Sequence, residues 1–134
     1  MAKIYKLNRG ERIVDEILKI AKKEGIKTAR VEAIGGVDKI TVAYFNHETK
    51  KYEKHSYTEF LEVTSMLGNI TQKNGKPFLH LHTTLGRSDL SLIGGHLVSA
   101  RVHPFLEVVI TKTKNRAVRK FDEKMGLNSI YEIT

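Results

Sequence analysis

The segment FLHLHTTLG, residues 78–86, contains two histidines whose spacing suits the binding of a metal ion. Alternate side chains of a β-strand share one face, so a strand here would point His80 and His82 the same way. The two positions would lie roughly 6.5–7 Å apart along the strand, which lets two imidazoles reach one ion. Neutral imidazole is a ligand for zinc, copper, iron and nickel. The pair therefore indicates a metal site or a reactive pocket.

A third histidine, His96 in LIGGHLV, is the natural partner of this pair. Tetrahedral zinc takes at least three protein ligands, with water or a substrate in an open position. Gly94 and Gly95 precede the histidine and permit a bulge or a close backbone approach. A hairpin across residues 86–91 would bring it beside the first two histidines. The predicted metal ligands are His80, His82 and His96.

The other histidines are weaker candidates, and the cluster has a second interpretation. Strand parity places His103 opposite His96, whereas His47 and His55 lie in polar segments. A cupin site is disfavoured because TTLGRS, which follows His82, contains no carboxylate. Histidines that pack at a subunit contact, or that simply lie on the surface, remain the alternative to a metal site.

Three further polar residues are candidates for supporting such a site. Glu62 interrupts EFLEVTSML and Glu107 interrupts PFLEVVI. Either glutamate could be an ordinary polar-face residue of an amphipathic strand. If they instead face inward beside the histidines or Arg101, they would orient the ligands or act as an acid or base.

The chain is strongly basic, with a formal net charge of +8. This charge favours a nucleic acid or another polyanion as a partner. Cations concentrate in KIAKKEGIKTAR (19–30), in KKYEK (50–54) and in KTKNRAVRK (112–120), which has no anion. The predicted phosphate contacts are Lys112, Lys114, Arg116, Arg119 and Lys120. Without a helix-turn-helix or zinc-finger pattern, duplex binding would be salt-sensitive and weakly sequence-specific. Solvated basic loops are the alternative.

The elements that must position these residues follow from the hydrophobic periodicity. Residues 11–24 predict one long helix, ended by Gly25, with an apolar stripe of Ile13, Ile17, Ile20 and Ala21. Alternating or apolar runs predict strands at 3–8, 28–35, 40–46, 50–57, 59–70, 77–86, 92–102 and 104–112, and the tail predicts a short turn of helix and a strand at 129–133. We expect a single α+β domain over residues 1–134, built on a mainly antiparallel sheet of about eight strands.

Composition excludes several classes of protein. The chain has no cysteine, so disulfides, thiolate zinc clusters and cysteine nucleophiles are ruled out. No apolar run approaches the roughly 18–20 residues that span a bilayer, and the first residues lack the apolar region of a secretory signal. These features predict a cytoplasmic protein with no membrane partner.

A resemblance emerges from the order of the motifs. AIGGVDKITVAYF, EVTSMLGNI, NGKPFLHLH, GGHLVSARV and LEVVI follow one another along the chain. In this order they resemble the plants and prokaryotes conserved (PPC) domain in its stand-alone prokaryotic form. The resemblance covers roughly residues 4–133.

The resemblance implies an α+β fold on an antiparallel sheet and a homotrimer. It also implies that His80, His82 and His96 correspond to a histidine cluster of the family that can hold zinc. Plant members carry the domain beside AT-hooks in nuclear DNA-binding proteins, and prokaryotic members are described as predicted DNA-binding proteins. This chain lacks the RGRP core of an AT-hook, which argues against minor-groove recognition of AT-rich DNA. In plants, the segment matching EFLEVT (59–64) is linked to partner contacts.

Our leading hypothesis is therefore a trimeric DNA-binding or regulatory module with a three-histidine zinc site. The first alternative is a metal-dependent enzyme, or a small-molecule sensor, that uses the same histidines. The second is a purely structural oligomer with histidines at its subunit contacts. We favour a binding module over an enzyme.

Overall fold

Eight strands and one helix make up the chain, and the computed structural model describes residues 1–134. In chain order the elements are β1 (Ala2–Asn8), α1 (Ile13–Lys23), β2 (Ala29–Asn46), β3 (Lys51–Tyr57), β4 (Leu61–Lys73), β5 (Lys76–Gly86), β6 (Leu92–Lys112), β7 (Ala117–Asp122) and β8 (Leu127–Ile133). All strand pairs are antiparallel except the short β4–β7 pair. The predicted eight-stranded, mainly antiparallel sheet is confirmed.

The sheet partly closes on itself through its longest strands. Its order is β3-β2-β6-β5-β4-β7-β8, β1 pairs with β6, and β2 also pairs with β4. Strands β2, β6, β5 and β4 therefore form a ring of hydrogen-bonded neighbours. The pairing of β2 with β4 shifts register between Ala33 and Gly35, where β4 has one extra residue and therefore a bulge. Bulges bend a strand and increase its twist, which helps the ring to close.

Two pairs of predicted strands are in fact single long strands. The segments 28–35 and 40–46 belong to the 18-residue β2, and the segments 92–102 and 104–112 belong to the 21-residue β6. Gly35 and Gly36 of β2 let β2 and β6 approach each other closely. A side-chain carbon on Gly36 would collide with the carbonyl oxygen of His103. The turn of helix predicted in the tail is absent, because β7 and β8 form a hairpin there.

Helix α1 is shorter than predicted, with 11 residues in place of a long helix over 11–24. It ends in a Schellman motif, in which Ile26 N–H donates to the Ala21 carbonyl at 2.9 Å. Gly25 makes this possible because it adopts the left-handed conformation, at φ +63°. No helix in the structure has the length and apolar character needed to cross a membrane.

The core lies on one face of β5, and the histidines lie on the other. Leu81 and Leu85 are buried in a cluster that also receives Ile13 and Ile17 of α1. His80 and His82 alternate with these leucines and point away from the cluster. The predicted leucine face is confirmed, and the polar face of β5 is left free to form a site.

Candidate metal centre

The register of the β5–β6 hairpin brings the three predicted ligands together. His82 and His96 are directly paired residues of these antiparallel strands, and His80 follows at the next position on the same face of β5. The hairpin loop is closed by Leu90 N–H, which donates to the Arg87 carbonyl at 2.8 Å. Asp89 reinforces the loop by accepting from the backbone N–H of Ser91 at 2.9 Å. The hairpin predicted across residues 86–91 is confirmed.

The imidazoles are close enough to share one ion. One ring nitrogen from each of His80, His82 and His96 lies within 4.8 Å of the others. The Nε2 atoms of His80 and His82 are 3.2 Å apart, and the ring centroids of the three histidines are separated by 5.0 to 5.6 Å. Zinc–nitrogen bonds of about 2.0–2.1 Å require only small side-chain movements to converge from this arrangement.

The surroundings of His80 and His96 favour the neutral form of each ring, which is the form that binds metals. Burial lowers the pKa of His80 to about 4, and the positive charge of Arg119 contributes to the shift. Burial, followed by the influence of His82, also lowers the pKa of His96. His82 is the exposed member of the set, so the cluster opens toward solvent on its side.

One atom of the cluster lacks a partner within the chain. The Nδ1 atom of His96 is buried and makes no hydrogen bond. An unsatisfied buried polar atom costs about 1–3 kcal/mol, which a bound ligand would remove. The ring of Tyr52 stacks on His96 with a centroid separation of 4.7 Å and fixes its plane. Three imidazoles with an open fourth side fit the donor set of a zinc centre.

Arg119 was predicted to contact phosphate, but the structure buries its side chain beside His80. Arg119 is only 7% exposed, because β7 pairs with the end of β4 and turns this side chain inward. The guanidinium donates to the Thr71 hydroxyl at 2.9 Å, to the Asn128 carbonyl at 3.0 Å and to Asn69 Oδ1 at 3.1 Å. It also lies 3.4 Å from His80 Nδ1. Burial lowers the pKa of Arg119 from its ordinary value.

A cavity of about 460 Å³ lies beside the three histidines, and we call it the histidine pocket. Its residues come from β3, β5, β6 and the β7–β8 hairpin, and they are Tyr52, Phe78, His80, His82, His96, Arg119, Phe121, Gly126, Leu127 and Asn128. The sequence did not single out Tyr52, Asn128 or the aromatic walls. Strand parity offered one signal for Arg119, since it shares a face of β7 with the buried Ala117.

None of the three predicted supporting residues, Glu62, Arg101 and Glu107, lines the histidine pocket. Glu62 and Glu107 are exposed and border a separate surface cavity. Arg101 donates to Asp38 Oδ1 at 2.8 Å. His103 also faces Asp38, at 3.8 Å, as expected from its parity opposite His96. The separation of the three supporting residues from the histidines follows from their positions farther along β4 and β6.

The remaining predicted phosphate contacts, Lys112, Lys114, Arg116 and Lys120, are exposed. The segment 112–116 is tied to the chain near the end of α1, because Thr113 N–H donates to the Thr28 carbonyl at 3.0 Å. Exposed Lys27 and Arg30 flank that point of attachment. The structure therefore places parts of two basic segments side by side.

Comparison with known proteins settles the family of the chain. A family model of the plants and prokaryotes conserved domain matches residues 2–114. The chain belongs to this family. The match ends before β7, so the PPC family model does not include Arg119 or the hairpin that closes the histidine pocket.

Solved structures similar to this PPC chain cover almost its whole length. A metal-containing protein from Archaeoglobus fulgidus is 34% identical, with a TM-score of 0.93 over 98% of this chain and 94% of that one. A "putative DNA binding protein" from Bacteroides thetaiotaomicron is 33% identical, with a TM-score of 0.93 over 97% and 91% of the two chains. A PPC protein from Pyrococcus horikoshii is 30% identical, with a TM-score of 0.91 over 100% and 93%. A search of curated proteins gives no significant match.

Proposed function

We propose that this PPC chain is a metal-binding module whose His80, His82 and His96 hold one zinc ion. The observation that carries the proposal is the convergence of three imidazole nitrogens within 4.8 Å. The lowered pKa values of His80 and His96 and the unpartnered His96 Nδ1 add to it. The similar protein from Archaeoglobus fulgidus is described as metal-containing, which is consistent with such a centre.

Metal analysis of the purified protein tests the zinc proposal. After dialysis against zinc and removal of the excess, we expect about one zinc ion per chain by inductively coupled plasma mass spectrometry. His82→Ala should lose most of this zinc, because two imidazoles bind a metal far more weakly than three. His55→Ala is the matched control, since His55 is an exposed strand histidine outside the pocket. Equal zinc in wild type and His82→Ala would contradict the proposal.

We further propose that the module acts as a homotrimer and binds duplex DNA through phosphate contacts. The net charge of +8, and the adjacency of the segment 112–116 to Lys27 and Arg30, favour this second role. A similar protein from Bacteroides thetaiotaomicron carries a DNA-binding description. With Arg119 buried, the proposed contacts are Lys112, Lys114, Arg116 and Lys120.

Salt-dependent mobility shift on a generic duplex tests the DNA role. We expect retardation at low salt, with log affinity falling linearly against log salt concentration. The double variant Lys114→Gln/Arg116→Gln should reduce the magnitude of that slope by about 2 if both cations contact phosphates. A matched control removes two exposed cations elsewhere, Lys6→Gln/Arg9→Gln. No retardation of the wild type at low salt would overturn the DNA role and leave the zinc proposal standing.

One feature of the geometry supports the alternative of an enzyme or small-molecule sensor. The three histidines open onto a cavity and not onto bare surface. A zinc centre with three protein ligands keeps a position for water or a substrate. A bound small molecule is consistent with a regulatory module as well as with an enzyme, so the chemistry of the pocket matters for both.

A further inference from the structure

The charge of Arg119 has no anionic partner. Its hydrogen-bond acceptors are a hydroxyl, a backbone carbonyl, a side-chain amide and a histidine nitrogen, all of them neutral. The ring of Phe78, 5.4 Å from the guanidinium carbon, adds a cation–π contact but no charge. A buried charge is costly unless it is paired, and these dipoles orient the guanidinium without neutralising it.

The whole histidine pocket shares this imbalance. None of its ten lining residues is acidic, and Arg119 is its one permanently charged group. A divalent metal on three neutral histidines would add further positive charge, with no carboxylate in the pocket to offset it. The pocket therefore has no anion to balance its positive charge.

We propose that the histidine pocket binds a small organic carboxylate, which occupies the open position of the metal and neutralises Arg119. The inference rests on the proposed metal centre for the first of these two contacts. Arg119 serves as a fixed positive charge, held in place by Thr71, Asn69 and the Asn128 carbonyl. Such preorganisation favours anion binding because the cation is not reordered when the ligand arrives.

The walls of the pocket favour a carboxylate with an apolar portion over an inorganic anion. Tyr52, Phe78, Phe121 and Leu127 present rings and a branched alkyl chain to the cavity. The volume of about 460 Å³ falls within the usual range of small-molecule sites. Inorganic phosphate would leave these apolar surfaces without a partner, whereas a short alkyl chain would cover them.

Butyrate binding to the Co²⁺-loaded protein tests the inference. We expect butyrate to change the visible absorption spectrum of bound Co²⁺ in a saturable way. The neutral isostere butyramide and inorganic phosphate should bind at least about tenfold more weakly, because the first lacks the charge and the second lacks the apolar contact. Tighter binding of phosphate than of butyrate would overturn the assignment to carboxylates.

Variants on the β7–β8 hairpin locate the ligand. Arg119→Met should raise the dissociation constant of butyrate at least about tenfold, since a charge-assisted contact is lost. Phe121→Asp provides a second test at an exposed position, because its carboxylate would compete with butyrate for Arg119. Lys124→Met, which removes an exposed cation from the same hairpin, should leave butyrate affinity unchanged. Equal butyrate affinity in the wild type and Phe121→Asp would overturn the inference even if Arg119→Met does not fold.

Failure of the metal centre and failure of this inference give different results. Co²⁺ binding without any response to butyrate overturns the inference alone. Absence of Co²⁺ binding counts against the zinc proposal. In that case, titration of butyrate into the metal-free protein tests the Arg119 contact by calorimetry. Saturable binding that Phe121→Asp weakens supports the contact, and no binding overturns it.

Discussion

Two glycines on the strands that flank β5 allow the backbone around the histidines to pack closely. Gly68 of β4 lies against the carbonyl group of His80, and Gly94 of β6 lies against that of Thr83. A Cβ atom at either glycine would collide with the facing carbonyl oxygen. Because backbone atoms cannot rotate away as a flexible side chain can, the strands would have to separate. The placement of His80 therefore depends on the absence of a side chain at Gly68.

Gly68→Ala tests this dependence at the residue scale. We expect a loss of about 1–3 kcal/mol in the free energy of unfolding, typical of overpacking, together with weaker zinc binding. Urea unfolding and metal analysis measure the two effects. Gly86→Ala, on β5, is the matched control because its added carbon would make only ordinary contacts. Unchanged stability in Gly68→Ala would show that the strands adjust freely.

At the scale of elements, β1 is held to the end of α1 by a small polar cluster. The Tyr5 hydroxyl lies 2.8 Å from both carboxylate oxygens of Glu24, and the Lys3 ammonium donates to Glu24 Oε1 at 3.0 Å. The hydrogen bond from Tyr5, followed by that from Lys3, lowers the pKa of Glu24. Burial, and then Glu24, raises the pKa of Tyr5 to about 12.

The two shifts have opposite consequences for stability against pH. A lowered pKa means that the contribution of Glu24 is present above its ordinary value of 4.5 and is lost as the pH falls through the folded-state value. The raised pKa of Tyr5 means that the folded state keeps the hydroxyl protonated to a higher pH than the unfolded state does. Stability therefore falls as the pH rises from 10.0 to about 12. The cluster therefore contributes most between these two limits.

Tyr5→Phe should lower the urea midpoint at neutral pH, because the hydroxyl is the main donor to Glu24. The difference from the wild type should shrink below pH 4.5 and again between pH 10.0 and about 12. Urea unfolding followed by circular dichroism across this range measures the effect. Tyr44→Phe is the control, since Tyr44 is 67% exposed and far more accessible than Tyr5. If the urea midpoints of Tyr5→Phe and the wild type differed by the same amount at every pH, the result would contradict a contribution that depends on the ionisation of Glu24 and Tyr5.

At the scale of the whole molecule, one surface carries large apolar side chains that a lone chain leaves exposed. Ile34, Phe60, Leu67 and Phe105 are each 40–55% exposed, and we call these four residues the apolar face. They border two adjoining cavities that share Ile34, Thr64 and Glu107. Phe60 belongs to the segment EFLEVT, for which the resemblance to plant PPC domains predicts partner contacts. Contiguous exposed apolar surface is typical of an interaction site.

Trimer formation predicts that the apolar face is covered by neighbouring copies. Light scattering coupled to size exclusion should give three times the mass of one chain for the wild type. Ile34→Asp should shift the protein toward monomer, because it would bury an unpaired carboxylate at the contact. Tyr44→Asp, at an exposed apolar residue outside the face, should keep the wild-type mass. A monomeric wild type would refute the homotrimer.

Local periodicity was sufficient to predict much of the site. The alternation of FLHLHTTLG placed His80 and His82 on one face and their leucine neighbours in the core. The loop at 86–91 predicted the hairpin that pairs His82 with His96. Both predictions concern residues that are near one another in sequence. There the period of the strand and the length of the turn determine which side chains meet.

Only the tertiary structure determined what surrounds the histidines. Arg119 appeared in the sequence as one more surface cation, yet the parallel pairing of β7 with the end of β4 turns it into the pocket. Tyr52 comes from β3 and is brought to His96 because β2 pairs with both β3 and β6. Such contacts join strands that are distant in sequence, so they depend on how the complete sheet folds and not on any local pattern.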